Sequence, residues 1–217
     1  MGVNGAEQWE VRERIKDLRV VPVVKLDRAE DALPLAKSLC AGGLPVAEVT
    51  FRTEAAEESI RRISASCPEL LVGAGTVINT EQARRAVAAG ARFLVSPGIS
   101  EEIIRYAVKE GIPIFPGTCT PTEIMTAVSY GLDVVKFFPA AQYGGLKTIQ
   151  ALSGPFPQVR FMPTGGISAA NLREYLDYPK IFACGGSWMV KDALIKEGKF
   201  DQIEMLTREA AAIAKGE

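Results

Sequence analysis

Apolar and polar positions along this chain recur as one unit: a short apolar run, a turn of small residues, then apolar positions three and four apart. Short runs rich in β-branched and aromatic residues predict buried strands, and the longer amphipathic stretches predict helices. Strands are predicted at 20–24, 46–50, 71–74, 93–96, 114–115, 134–138, 160–162 and 181–183. The helices between them fall near 29–39, 54–66, 81–89, 101–110, 121–130, 146–152 and 169–176, with a last one at 202–215. Gly42-Gly43 gives the first helix a stop, and Pro121 suits a first helical turn. Ahead of the first strand, residues 6–18 predict a leading helix with Trp9, Val11, Ile15 and Leu18 as candidate buried positions.

Strand–helix units at spacings of roughly 20 to 26 residues, with no linker or low-complexity tract between them, predict a closed (β/α)8 barrel. An extra helix precedes it, and residues 1–217 form a single domain. An open doubly wound sheet is the alternative. It calls for G-x-G-x-x-G after the first strand, where this chain has Lys25-Leu26-Asp27-Arg28.

Composition narrows the chemistry. The net charge of −1 offers no basic field for nucleic acid or an anionic membrane. No apolar run has the length of a membrane span, and the polar start lacks the core of a signal peptide, so a cytoplasmic protein is expected. Cys40, Cys67, Cys119 and Cys184 are scattered without a C-x-x-C pair, and read as reduced thiols with no zinc site or disulfide frame. The chain has no histidine. Ser-His-Asp and Cys-His nucleophile systems and histidine-ligated zinc are therefore excluded, and acid–base work falls to Glu, Asp, Lys, Tyr, Cys or water.

The apolar run 134–138 carries one lysine, Lys136. A lysine there either has a partner or gives up its proton, and a neutral amine is the nucleophile of Schiff-base chemistry. Strand alternation puts Glu48, Thr50 and Arg52 on one face, toward the barrel lumen. Burial disfavours the charged carboxylate and suits such a group to shuttle protons, while an arginine nearer the rim can clamp a carboxylate or phosphate. The bland alternatives are a structural Glu48–Arg52 pair, or a Glu48 that merely neutralises Lys136. Gly165-Gly166 and Gly185-Gly186-Ser187 follow the seventh and eighth strands, where barrels cradle phosphate. Lys25 also ends an apolar strand, but Asp27 and Arg28 beside it predict a solvated, charged group.

These residues stand in blocks that resemble the 2-keto-3-deoxy-6-phosphogluconate (KDPG) and 4-hydroxy-2-oxoglutarate (KHG) aldolase family. The blocks are V-V-P-V at 20–23, E-V-T-F-R-T at 48–53, V-G-A-G-T-V at 72–77, S-P-G at 96–98, V-K-F-F-P-A at 135–140, P-T-G-G-I-S at 163–168 and G-G-S-W at 185–188. The resemblance implies a class I aldolase, without metal or other cofactor, that splits KDPG into pyruvate and glyceraldehyde 3-phosphate. It implies Lys136 as the Schiff-base amine, Glu48 as the proton shuttle, and Arg52 and Thr76 as contacts for the pyruvate carboxylate. Gly165, Gly166 and Ser187 then contact the phosphate, with Gly186 in the same turn and Pro97 in the S-P-G block as further substrate contacts. Thr164 matches the gluconate-type members. A homotrimer acting on a phosphorylated 2-keto acid is expected. The rivals are a KHG aldolase, as sole or dual activity, a phosphosugar isomerase or epimerase with Glu48 as carbon base, and a non-catalytic sugar-phosphate binder.

Overall fold

Residues 5–217 are described by the structure, a computed structural model. The leading helix α1 (Gly5–Leu18) is followed by β1 (Val20–Val24), α2 (Ala32–Ala41), β2 (Val46–Thr50), α3 (Ala56–Ser66), β3 (Leu71–Gly75) and α4 (Thr80–Ala88). Next come β4 (Leu94–Val95), α5 (Glu101–Glu110), β5 (Ile114–Phe115), β6 (Gly117–Thr118), α6 (Pro121–Ser129) and β7 (Val134–Phe137). The chain ends with α7 (Gly145–Ser153), β8 (Arg160–Pro163), α8 (Ala169–Leu176), β9 (Cys184–Gly186), α9 (Asp192–Lys196) and α10 (Phe200–Lys215). Polar side chains cap several of the helix starts. Thr120 and Glu123 form a capping box with Pro121 in the first turn of α6, and Asn79 accepts from the Gln82 N–H at α4.

Every strand pair is parallel, and the sheet is curled. One segment runs in the order β5-β4-β3-β2-β1-β9, the other β6-β7-β8. The fifth strand is found at Ile114–Phe115 as predicted, and a further short strand, β6, follows Pro116, which has no N–H for a ladder. Its carbonyl still accepts from the Lys136 N–H at 2.9 Å. Between β8 and β9 stand two single bridges, Phe161 with Ile181 and Thr164 with Gly185.

The eighth predicted strand is displaced. The ladder to β1 runs through Cys184–Gly186, with Val20 opposite Cys184 and Pro22 opposite Gly186, and not through 181–183. Gly185 and Gly186, read as a turn, are strand residues because side chains fill the space beside them: a Cβ on Gly185 would stand 2.4 Å from Thr164 Oγ1. Trp9 is a second correction. It is 66% exposed, while Val11 and Ile15 carry the buried face of α1.

Two apolar clusters result. One lies between the outer faces of the strands and the helices. The other fills the interior at the end where the strands begin, with Val46, Leu71, Phe93, Phe115, Val134 and Phe182 closed from below by Val11 and Ile15 of α1. Phe115 is central to its aromatic part, 6.1 Å from Phe93 and 5.7 Å from Phe182 between ring centroids. Burying each such ring stabilises the fold by about 1.5–3 kcal/mol.

Candidate active site

Strand β2 is buried along its whole length, and its inward side chains change from Val46 to Glu48 to Thr50. Strand β7 does the same with Val134, then Lys136, then Phe138 just past its end. Strand alternation thus places an acid and an amine inside the sheet, directly above apolar residues. Lys136 Nζ stands 3.3 Å from Glu48 Oε1, with side-chain exposures of 4% and 0%. The ammonium also lies 5.1 Å from the ring centroid of Phe138, within cation–π range. The Thr118 hydroxyl donates to the Lys136 carbonyl, holding β7 to β6 at this level.

The other carboxylate oxygen, Glu48 Oε2, is buried without a hydrogen-bond partner among the described residues. Leaving a buried polar atom unsatisfied costs roughly 1–3 kcal/mol, more when it is charged, so the pair is poor as a purely structural device. Space for Glu48 comes from Gly75 on the neighbouring strand. A Cβ there would stand 2.1 Å from Glu48 Oε1. Glu48 therefore pairs with Lys136, and Arg52 has no carboxylate partner among the described residues.

A cleft of about 310 Å³ lies one strand step beyond the pair, which does not itself line it. Thr50 and Phe138, each two residues beyond a member of the pair, form part of its lining, with Arg52, Thr164, Gly165 and Gly166 beside them. Gly186 and Ser187 close one side. The Arg52 Nε–H donates to the Thr76 hydroxyl at 3.1 Å, so those two meet at the rim. Thr76 has φ 54°, a left-handed conformation that strains a β-branched residue.

Gly165 and Gly166 have φ values of 96° and 79°, which side-chain-bearing residues rarely adopt. The backbone N–H groups of Gly166 and Ser187 donate to no acceptor among the described residues. Two such groups on facing loops suit an anion. Thr164 Oγ1 is buried there without a partner as well.

Neither Pro97 nor Thr76 lines this cleft. Pro97 lines a separate hollow of about 200 Å³ with Ile78, Ser96 and Gly98. Asp192 and Gly75 escaped the sequence reading. Asp192, at the start of α9, lines the cleft and holds Lys25 at 3.3 Å. Gly75 makes room for Glu48, but nothing in the V-G-A-G-T-V pattern ties it to an acid on another strand. Lys25 lines the cleft too, and hydrogen bonds first to Asp27 and then to Asp192 hold its ammonium above the usual lysine value. It is the solvated, charged lysine expected.

The sequence profile of the KDPG and KHG aldolases matches residues 11–206. The chain belongs to that family. It is 48% identical over 201 residues to the 2-dehydro-3-deoxy-phosphogluconate aldolase of Treponema pallidum, covering 93% of this chain and 96% of the relative. It is 48% identical over 196 residues to the KHG/KDPG aldolase of Escherichia coli K12, covering 90% and 92%. Among solved structures, the KDPG aldolase of Legionella pneumophila, with pyruvate captured at low pH as a covalent carbinolamine intermediate, superposes with a TM-score of 0.89 at 42% identity. That alignment covers 92% of this chain and 97% of the other. Family membership gives the buried Lys136–Glu48 pair a chemistry to be weighed against its geometry.

Proposed function

We propose that this chain is a class I aldolase that cleaves 2-dehydro-3-deoxy-6-phosphogluconate to pyruvate and D-glyceraldehyde 3-phosphate. The observation that carries the reading is the pair itself: a buried amine 3.3 Å from a carboxylate whose second oxygen is unpaired, one strand step from an open cleft. Transfer of the ammonium proton to Glu48 leaves two neutral groups in a buried site, and frees the amine as nucleophile. The Lys136 nitrogen adds to the C2 ketone to form a carbinolamine. Glu48 returns its proton to the departing hydroxyl, water leaves, and an iminium remains. The Glu48 carboxylate then takes the C4 hydroxyl proton as the C3–C4 bond breaks, and that electron pair moves into the iminium to give an enamine. The aldehyde departs, C3 of the enamine is protonated, and hydrolysis releases pyruvate and the free amine. The carbinolamine in the Legionella relative supports the covalent route.

Arg52 and Thr76 hold the pyruvate carboxylate. Gly165, Gly166, Gly186 and Ser187 hold the phosphate. Thr164 Oγ1 contacts the substrate between these ends. A second reading, dual activity on 4-hydroxy-2-oxoglutarate, is favoured by the double name of the Escherichia coli relative.

The same proposal takes residues 1–217 as one closed (β/α)8 barrel with α1 as its plug. The single bridges between β8 and β9, and the Lys136 N–H bond to Pro116 across the β5–β6 break, support closure. A homotrimer and a cytoplasmic location complete it, the four unpaired thiols suiting a reducing compartment. Light scattering on purified protein tests the trimer.

The deciding experiment is intact mass and peptide mapping after incubation with pyruvate and borohydride. A reduced pyruvyl adduct on Lys136 is expected. An adduct on Lys25 overturns the site, and no adduct on the folded protein overturns the class in favour of an isomerase or binder.

A further inference from the structure

The scattered cysteines are not all scattered in space. Cys40, in the last turn of α2, and Cys67, the residue that caps the end of α3, bring their sulfurs to 3.9 Å. Glu69 joins them, and one carboxylate oxygen and both sulfurs all lie within 4.8 Å of one another. Sulfurs bound at about 2.3 Å to a tetrahedral ion stand about 3.8 Å apart, whereas a disulfide needs about 2.05 Å. The thiols are therefore spaced for a metal and too far apart for a bond. Both helices also end here, and helix C-termini favour a cation.

We propose that Cys40, Cys67 and Glu69 bind a soft divalent cation of the zinc class, with water as fourth ligand. Cys67 is buried, Cys40 half-buried and Glu69 exposed, so the cluster is anchored on one side and open on the other. Burial pushes the Cys40 thiol up to about 12 and raises Cys67 also. The metal-free site is thus protonated, and binding releases two protons. Two thiolates and one carboxylate around a divalent ion leave one negative charge. Arg14 stands near to balance it, donating to the carbonyls of Glu69 and Pro45. Both cysteines precede the strands β2 and β3, at the opposite end from the Lys136 cleft. The ion is accordingly a clasp between two helix ends and takes no part in the reaction. Twenty-six residues separate the two cysteines in sequence, far outside a C-x-x-C spacing, which is why the pattern showed no metal site.

The test is cobalt titration of reduced, chelator-stripped full-length protein. One equivalent of Co²⁺ is expected to give a thiolate-to-cobalt charge-transfer band that Zn²⁺ abolishes, with aldolase turnover unchanged. The band should vanish in Cys40→Ser and in Cys67→Ser. Glu69→Gln, an exposed change that leaves the fold intact, should weaken binding at least about tenfold. Should a cysteine variant misfold, alkylation mapping of the wild-type protein with and without Zn²⁺ decides instead: Cys40 and Cys67 must be shielded by the metal. No band from the folded protein, a band that survives both cysteine variants, or shielding of other thiols overturns the site.

Discussion

The interior of the sheet has two ends built on the same strands with opposite chemistry. At the lower end Val46 and Val134 join Phe115 and Phe182 over the α1 plug, and none of the buried unpaired side-chain polar atoms among the described residues lies there. Two residues further along β2 and β7, the same inward positions hold Glu48 and Lys136, equally buried but with Glu48 Oε2 unpaired. Burial is the same and its energetic sign is not. The floor stabilises the fold through area removed from water, while the pair above it carries a desolvation cost that its single contact does not fully offset. The difference teaches that the fold is held from below, which leaves the upper residues free to be chosen for reactivity.

The largest expected effect comes from removing the amine. Lys136→Met should lower kcat by at least about 10⁴-fold, since the nucleophile has no substitute. Leaving Glu48 alone in the interior should also destabilise the protein by about 3–5 kcal/mol. Turning the upper end into a floor reverses that second effect. Lys136→Met combined with Glu48→Leu should be equally inactive yet as stable as wild type in denaturant titration, because replacing a buried ion pair by apolar residues is often neutral or better. A double variant as unstable as the single one would show that the pair is structural.

The floor should fail in the opposite manner. Phe115→Ala removes the ring between Phe93 and Phe182 and should cost about 3–5 kcal/mol in chemical denaturation. The kcat of the folded fraction should stay within about threefold of wild type, as sites that share no partner act independently. A large fall in kcat per folded molecule would mean that the two ends are coupled.

A smaller effect is expected at Gly75. An alanine there sets a methyl 2.1 Å from Glu48 Oε1 and 2.5 Å from its Cγ, so the carboxylate must move. A displacement of about 1 Å in a catalytic group costs about 10²-fold, and Gly75→Ala should lose that much kcat, with overpacking of this buried position lowering stability by about 1–3 kcal/mol. Borohydride trapping of pyruvate should survive, because the lysine is still present. Loss of trapping together with turnover would mean that Lys136, not Glu48, had been displaced.

Gly75 also marks where the residue pattern stops being readable. Strands β1, β2, β3 and β7 are legible because four or five consecutive residues carry the apolar alternation, and Glu48 and Lys136 stand out as exceptions within it. The strand β9 is not legible: Cys184–Gly186 is chosen by what packs beside it, Thr164 and Trp188, and two glycines carry no pattern. Trp9 has the right helical spacing for burial, yet the closing of the floor is carried by Val11 and Ile15. Pro97 follows a strand as several cleft residues do, but its carbonyl packs against Gly117, 2.2 Å from where a Cβ would be, and it lines a separate hollow. Local pattern reports the period of a strand. It does not report which neighbour fills the space beside it, and the neighbours settle which rim residues meet.

The smallest effect sharpens the upper end into two halves, one for the reacting keto acid and one for the phosphate. Ser187 and Arg52 both line the cleft, and Ser187 is exposed with a backbone N–H that has no acceptor among the described residues. Ser187→Ala removes the hydroxyl and keeps the N–H. A hydrogen bond to a charged group contributes about 1.5–3 kcal/mol, so kcat/KM for the phosphorylated substrate should fall by about tenfold or somewhat more. The loss should lie in KM, since the phosphate is remote from the breaking bond and is held alike in ground and transition states. Turnover of 4-hydroxy-2-oxoglutarate, which has no phosphate, should be unaffected. Equal losses on both substrates would place Ser187 with the reacting half, and would require the anion to be sought at Lys25, whose ammonium is already shared between Asp27 and Asp192.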